Sequence, residues 1–355
     1  MQTKRSGAAR PALIADAPIV ETPVAPVRER CCSVGRTVAI LSDAWAFLVL
    51  REMFLGARRF EEIRSVLQLP RATLVQRLTR FTTGGLLRRV PYSSKPPRHE
   101  YRLTEMGTDL YLVMLSLLRF GDDWLSDGGA PPLQLVHATC GHECQPATVC
   151  SSCKGDIIAA KVDYRDGPGA GTELMASGRR SRRASGPPGL ERSRPSSVSR
   201  ALQVIGDRWS FLVIREAFFG VRRFDNIQTK LGIAPNILSD RLRRLVDSGI
   251  LRQEKYQDLP ERFAYRLTDC GRALYLPMIQ MLAWGDRWLA DGKPPLILRH
   301  LECGHDFTPI VACNHCRMPL MAHAMRYRLN YVSPRPAAPA ALRPPSVLQK
   351  RTSAF

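Results

Sequence analysis

The stretch Asp43–Phe60, DAWAFLVLREMFLGARRF, returns at Asp207–Phe224 as DRWSFLVIREAFFGVRRF, with 12 of 18 positions identical at an offset of 164 residues. The offset persists: YRLTEMGTDLY (Tyr101–Tyr111) faces YRLTDCGRALY (Tyr265–Tyr275), and GDDWLSDG faces GDRWLADG. One residue is then lost, and at offset 163 CGHECQPATVCSSC (Cys140–Cys153) faces CGHDFTPIVACNHC (Cys303–Cys316). The chain is two copies of one unit, so its fold is decided by reading one of them.

The second copy is the clearer. From Val198 to Gly220, apolar residues at Leu202, Ile205, Trp209, Leu212, Val213 and Phe218 follow the helical period, predicting one helix or two broken near Gly206. Arg223–Leu231 is a short amphipathic helix burying Phe224, Ile227 and Leu231, and Gly232 ends it in the left-handed conformation that a helix terminus favours. Pro235 suits the first turn of the next helix, whose Leu238, Leu242 and Leu245 share one face before Gly249 stops it. Helix, three-residue turn and helix leave Asn236, Ser239, Asp240, Arg243 and Arg244 facing outward, on an element that fits a DNA major groove. Ile250–Tyr256 and Phe263–Thr268 flank the turn-forming QDLPER as a β-hairpin, with Lys255 and Arg262 near its tip. Thr268 and Asp269 can cap a last helix running to about Ala290, too apolar for one small domain.

Composition agrees with a folded, polyanion-binding protein. Of 355 residues, 52 are Lys or Arg against 32 Asp or Glu, a formal charge of +20, and 45% are hydrophobic, which excludes disorder throughout. The longest apolar run, Leu110–Leu118, is interrupted by Ser116 and stopped by Arg119, short of the about 20 residues a membrane span needs. Met1–Val27 is broken by prolines and has no continuous apolar region, so it reads as a disordered tail of a cytoplasmic protein, with no membrane partner expected.

Each copy resembles the HxlR-type winged helix-turn-helix transcriptional regulators. The resemblance rests on RWSFLVIREAFFGVRRFDNI, the turn and recognition helix LGIAPNILSDRLRRLVDSGIL, the wing ending YRLT, and LYLPMIQMLAWGDRWL. It covers Val198–Asp291 closely and Val34–Asp127 with more departures. The resemblance implies a bacterial, cytoplasmic, DNA-binding regulator that works as a dimer through its first and last helices. It also makes Cys32 a candidate redox switch, since some such regulators sense oxidants through a cysteine near this end.

The first copy departs where reading would occur. LQLPRATLVQRLTRFTTGGLL has Gln68 for Gly232, and Ala72, Val75, Gln76 and Thr79 for Asn236, Ser239, Asp240 and Arg243, while the core Leu74, Leu78 and Phe81 survives. Either this copy reads a different half-site with residues such as Gln76 and Thr79, or it mainly grips phosphates through Arg71, Arg80, Lys95 and Arg98.

The tails repeat a third pattern, His-x2-Cys-Gly-His-x7-Cys-x2-Cys: His137, Cys140, His142, Cys150, Cys153, and His300, Cys303, His305, Cys313, Cys316. Two short knuckles joined by a hairpin supply four N/S ligands to a tetrahedral Zn2+, so up to two structural zinc ions are expected. Spacing favours His137 and His300 as fourth ligands, with His142 and His305 as alternatives. Cys144 and His315 occur in one copy only.

The expected architecture is mainly α with small β: a disordered tail at 1–30, a winged helix-turn-helix at 31–129, a zinc-ribbon-like module at 130–164, a flexible basic linker at 165–194, a second winged helix-turn-helix at 195–292, a second module at 293–332 and a disordered tail at 333–355. A coil of about 30 residues spans on the order of 30 Å, which lets the copies pair within one chain as an intramolecular pseudo-dimer. A homodimer of whole chains is also compatible. The expected function is sequence-specific double-stranded DNA binding and transcriptional repression, without catalysis. A protein-interaction scaffold is the alternative; a metal-dependent hydrolase lacks any nucleophile and base at usable spacing.

Overall fold

The computed structural model describes residues 28–41, 43–126, 128–174 and 194–331. The expected tails before residue 28 and after 331, and the linker over 175–193, lie outside the described residues.

Each copy follows one plan. In the first, α1 (Ser33–Leu41) and α2 (Ala44–Phe54) lead to α3 (Phe60–Leu67) and α4 (Arg71–Thr83), then to a wing of β2 (Leu87–Ser94) and β3 (Pro97–Leu103), then to α5 (Glu105–Trp124). In the second, α6 (Ser197–Ile205), α7 (Arg208–Phe218), α8 (Phe224–Leu231) and α9 (Pro235–Asp247) precede β9 (Leu251–Gln257), β10 (Arg262–Leu267), α10 (Asp269–Ala273) and α11 (Tyr275–Leu289). The long helix expected in this copy is therefore two. Pro277 has no N–H for the Ala273 carbonyl one turn back, whereas Val113 stands at its place in the unbroken α5.

Local chemistry sets the boundaries. Asp43 and Asp207 cap α2 and α7 by accepting from Ala46 N and from Trp209 N and Ser210 N. Thr104 and Thr268 cap the helices after the wings, and Pro235 opens α9. Gly232 turns the chain at φ 56°, and in the first copy Gln68 adopts the same left-handed conformation at φ 51°. Leu74, Leu78 and Phe81, like Leu238, Leu242 and Leu245, are buried. The wings are held identically: Tyr101 N and Tyr265 N donate to Arg58 O and Arg222 O at 2.8 Å, and Arg59 and Arg223 lie over the rings of Tyr92 and Tyr256 at 4.6 and 4.7 Å.

The two copies share one hydrophobic core. α1 packs along α11, α6 along α5, and α5 against α11. Ser33 Oγ donates to Asp286 Oδ1 at 2.5 Å and, reciprocally, Ser197 Oγ to Asp122. The helices cross at two glycines: a Cβ on Gly121 would lie 2.1 Å from Ser197 O, and one on Gly285 2.5 Å from Ser33 O. Equivalent residues also meet each other. Asp43 bridges Asp207 through the backbone, and the Phe47 and Phe211 rings stack at 5.9 Å and 21°. Self-contact between equivalents is the signature of a two-fold axis, here inside one chain.

The tails correct the expectation of two self-contained modules. β14 (Met325–Leu329), β4 (Leu133–His137) and β5 (Glu143–Cys144) form one sheet, and β12 (His305–Phe307), β11 (Leu296–His300) and β7 (Val162–Asp166) another, so each takes an edge strand from the other copy. β6 (Pro146–Cys150) pairs with β13 (Pro309–Cys313), with the equivalent residues Thr148 and Val311 opposite. Strands of two to five residues in pairs are marginal alone, and exchange provides the third strand. Residues 165–174, expected to be linker, finish β7 and form β8 (Thr172–Leu174), which pairs with β1 (Arg28–Arg30). Among the described residues no helix is long and apolar enough to cross a membrane.

Candidate nucleic-acid interface and metal centres

Asn236, Ser239, Arg243 and Arg244 are exposed on α9, as are Lys255 and Arg262 on the wing. Asp240 is half-buried and engaged: its carboxylate accepts from Arg243 Nη2 at 2.8 Å and Arg244 Nε at 3.0 Å, and it also pairs with Arg241. It therefore orients two cations on the outer face of α9 and is not itself a free acceptor. Lys255 pairs with Asp258 at 3.1 Å and Glu261 at 3.0 Å, while Arg262 lies 4.0 Å from Asp225.

In the first copy, Arg71, Gln76, Thr79, Lys95 and Arg98 are exposed. Arg71 lies 3.6 Å from Glu61 and over the Phe60 ring at 5.2 Å. Arg80 is exposed as well, its guanidinium donating to the Ala39 carbonyl, and partial burial beside Arg77 lowers its pKa. Gln76, at the place of Asp240, accepts from Arg77 at 3.1 Å.

One pair of positioning residues is not marked by sequence spacing. Arg77 on α4 and Arg241 on α9 are equivalent, and each reaches inward to the capping aspartate of its own copy. Arg77 Nε lies 3.1 Å from Asp43 Oδ1, and Arg241 Nε 2.9 Å from Asp207 Oδ1. Since Asp43 and Asp207 bridge each other, α4 and α9 are fastened to one point on the internal axis. The available signal was an arginine on the helix face otherwise filled by Leu74 and Leu78, or Leu238 and Leu242.

Eight cysteine and histidine residues assemble into two four-ligand clusters, and their partition is crossed. His137 and Cys140 join Cys313 and Cys316; Cys150 and Cys153 join His300 and Cys303. The grouping by tail that the spacing suggests is replaced by one His-x2-Cys knuckle and one Cys-x2-Cys knuckle from opposite copies. The fit to zinc is geometric. Bond lengths of about 2.3 Å to sulfur and about 2.0 Å to nitrogen imply tetrahedral edges of about 3.8 Å between sulfurs and about 3.5 Å from nitrogen to sulfur. The edges found are 3.9 Å for Cys140 to Cys313 and for Cys150 to Cys303, and 3.3–3.5 Å from His137 Nδ1 and His300 Nδ1 to their sulfurs.

The surroundings favour thiolate. Ser152 N donates to Cys150 Sγ and His315 N to Cys313 Sγ, both at 3.4 Å. Although burial opposes it, these backbone donors lower the thiols of Cys150 and Cys313. His300 Nε2 is buried without a hydrogen bond, with Glu302 Oε2 at 3.5 Å, so a metal on Nδ1 would leave Nε2–H facing a carboxylate. Zinc held here would cross-link the copies. Of the alternative ligands, His142 stacks on His315 at 3.6 Å and the pair gathers with Cys140 in a third, more exposed group, while His305 is exposed and joins none. Cys144 is buried beside Cys313, and burial pushes its thiol up to about 12. Cys32 is buried where α1 begins, near Arg215.

The model of the HxlR-like helix-turn-helix family matches residues 40–128 and 204–293, about half of the chain. An HTH-type transcriptional regulator of Mycobacterium tuberculosis is 43% identical over 145 residues, which are 41% of this chain and 92% of that relative. HTH-type transcriptional regulator YodB of Bacillus subtilis is 31% identical over 96 residues, 27% of this chain and 86% of the relative. Among solved structures, the redox regulator HypR in its reduced form is 31% identical, covering 27% of this chain and 99% of that chain, with a TM-score of 0.25. The matched stretch thus spans most of the length of each of the two sequence relatives, and with both copies matched by the family model this chain belongs to the HxlR-like helix-turn-helix family of DNA-binding transcriptional regulators.

Proposed function

We propose that the chain is a single-chain pseudo-dimer that binds two half-sites of duplex DNA and represses transcription by occupying them. The observation that carries this reading is the junction on the internal axis, where Asp43 meets Asp207 and each holds the arginine of its own recognition helix. Fastened in that way, α4 and α9 form one rigid pair suited to grooves about 34–36 Å apart along a duplex. Asn236, Ser239, Arg243 and Arg244 supply base and phosphate contacts from α9, with Lys255 and Arg262 reaching phosphates from the wing. Arg71, Gln76, Thr79, Lys95 and Arg98 do so from the first copy. A different half-site for each copy follows from their different faces. Zinc in both Cys/His clusters holds the copies in register, and an intramolecular partner makes a homodimer unnecessary for two-site binding.

Selection from random duplexes, followed by fluorescence anisotropy on the selected site, tests the proposal. The expected result is a bipartite motif with unlike halves and an affinity falling steeply with salt. Arg243→Ala with Arg244→Ala should weaken binding at least about tenfold. Unchanged affinity in that double variant would remove α9 from the interface.

A further inference from the structure

The two copies treat one buried arginine differently. Arg51 on α2 and Arg215 on α7 are equivalent, and only 6% and 4% exposed. Each gives Nε and Nη2 to the next residue's carboxylate, Glu52 or Glu216, at 3.0 and 2.7 Å. Their remaining nitrogens differ. Arg51 Nη1 donates to Ser199 Oγ at 2.7 Å, but the equivalent of Ser199 is Gly35, and Arg215 Nη1 is buried with no hydrogen bond of good geometry, the Cys32 thiol being the weak acceptor beside the guanidinium.

A second difference accompanies the first. Arg194 is buried, 3.7 Å from Glu52, whereas its equivalent Arg30 turns outward over the Phe219 ring at 4.6 Å. The space around Arg51 is nearly filled, with Tyr331 lining a remnant of about 40 Å3. The space around Arg215 is a cavity of about 430 Å3, its cations Arg30, Arg215 and Lys230 set against apolar Phe219, Leu282 and Leu296. Of the carboxylates on its wall, Glu216 is committed to Arg215, leaving Asp166.

We propose that this cavity is an effector site for a small carboxylate with an apolar body, such as an aromatic acid. Its carboxylate would take the Nη1 donor of Arg215, as Ser199 Oγ takes that of Arg51, and its ring would lie among Phe219, Leu282 and Leu296. Glu216 already meets the charge of Arg215, so what draws an acceptor is its buried Nη1 donor, what favours an anionic one is Arg30 and Lys230 on the rim, and the volume lies in the range of small-molecule sites. The wall joins the start of α1 to α7, α11 and α8, the helix before the recognition helix α9. An occupant therefore touches both copies and the support of a reading helix. That regulatory consequence rests on the DNA-binding reading; occupancy does not.

Calorimetry on the full zinc-loaded chain without DNA, using benzoate and phenylacetate with benzyl alcohol as the uncharged control, tests occupancy. One acid per chain should bind, and benzyl alcohol should not. Gly35→Ser restores the Arg51 arrangement, and its Cβ would sit 3.4 Å from Arg215 Nη1 and 3.8 Å from Cys32 Cβ, ordinary packing. It should weaken benzoate at least about tenfold while keeping the thermal midpoint. Arg30→Gln with Lys230→Gln, on the exposed rim, should weaken it several-fold. No heat from either acid at about 10 mM, equal binding of benzyl alcohol, or undiminished benzoate binding in Gly35→Ser overturns the assignment. Anisotropy on DNA forms a separate arm: benzoate binding in a chain that ignores all duplexes defeats the regulator reading and leaves the cavity assignment standing.

Discussion

Gln68 holds the left-handed turn between α3 and α4 that Gly232 holds between α8 and α9, at φ 51° against 56°. A side chain there costs about 1 kcal/mol relative to glycine, so Gln68→Gly should raise the stability of the first copy by about that amount in denaturant melts. Asp286 gives a second residue-level test. Burial raises its carboxyl to about 6, while the Ser33 hydrogen bond and Arg36 pull it down. A folded value above the unfolded one means that the native state binds the proton more tightly. This site's contribution is complete below about pH 4 and is lost as pH rises through about 6. Asp286→Asn should flatten the dependence of thermal midpoint on pH between about 4 and 7, and stabilise the chain at neutral pH by about 1 kcal/mol, allowing for partial exposure. A pH profile parallel to that of the parent chain would remove Asp286 from the balance.

Individual helices were readable because each carries its own punctuation. Pro235 opens α9, Gly232 closes α8, Thr268 caps α10, and the spacing of Leu238, Leu242 and Leu245 fixes a buried face. The break before Tyr275 has a local sign in Pro277, whereas what escaped was long-range: the hydrogen bond of Arg80 to the Ala39 carbonyl and the Arg77 and Arg241 clamps depend on partners that spacing does not display. The crossings belong to the same class. Gly121 and Gly285 look like interior helix glycines, yet each lies under a serine carbonyl from the other copy. Gly285→Ala should push α1 off α11 and destabilise the chain by about 2–3 kcal/mol, measured by chemical denaturation. Wild-type stability in that variant would show that the helices do not cross there.

Across the whole molecule, the repeat fixed how many units to expect but not how they share material. Cysteine spacing identifies knuckles, and it cannot say which knuckles meet, because that depends on an axis relating residues more than a hundred positions apart. Metal stoichiometry separates the two arrangements. With crossed shells, Cys140→Ser plus Cys316→Ser damages one cluster and should leave about one zinc per chain, whereas Cys140→Ser plus Cys153→Ser damages both and should leave about none. Shells closed within each tail reverse those two results. The crossed arrangement also imposes an order on biogenesis. A nascent first half presents Cys140, Cys150 and Cys153 with neither tetrahedron complete, so metal capture comes last, after the second half has been synthesised, and reports that assembly is finished.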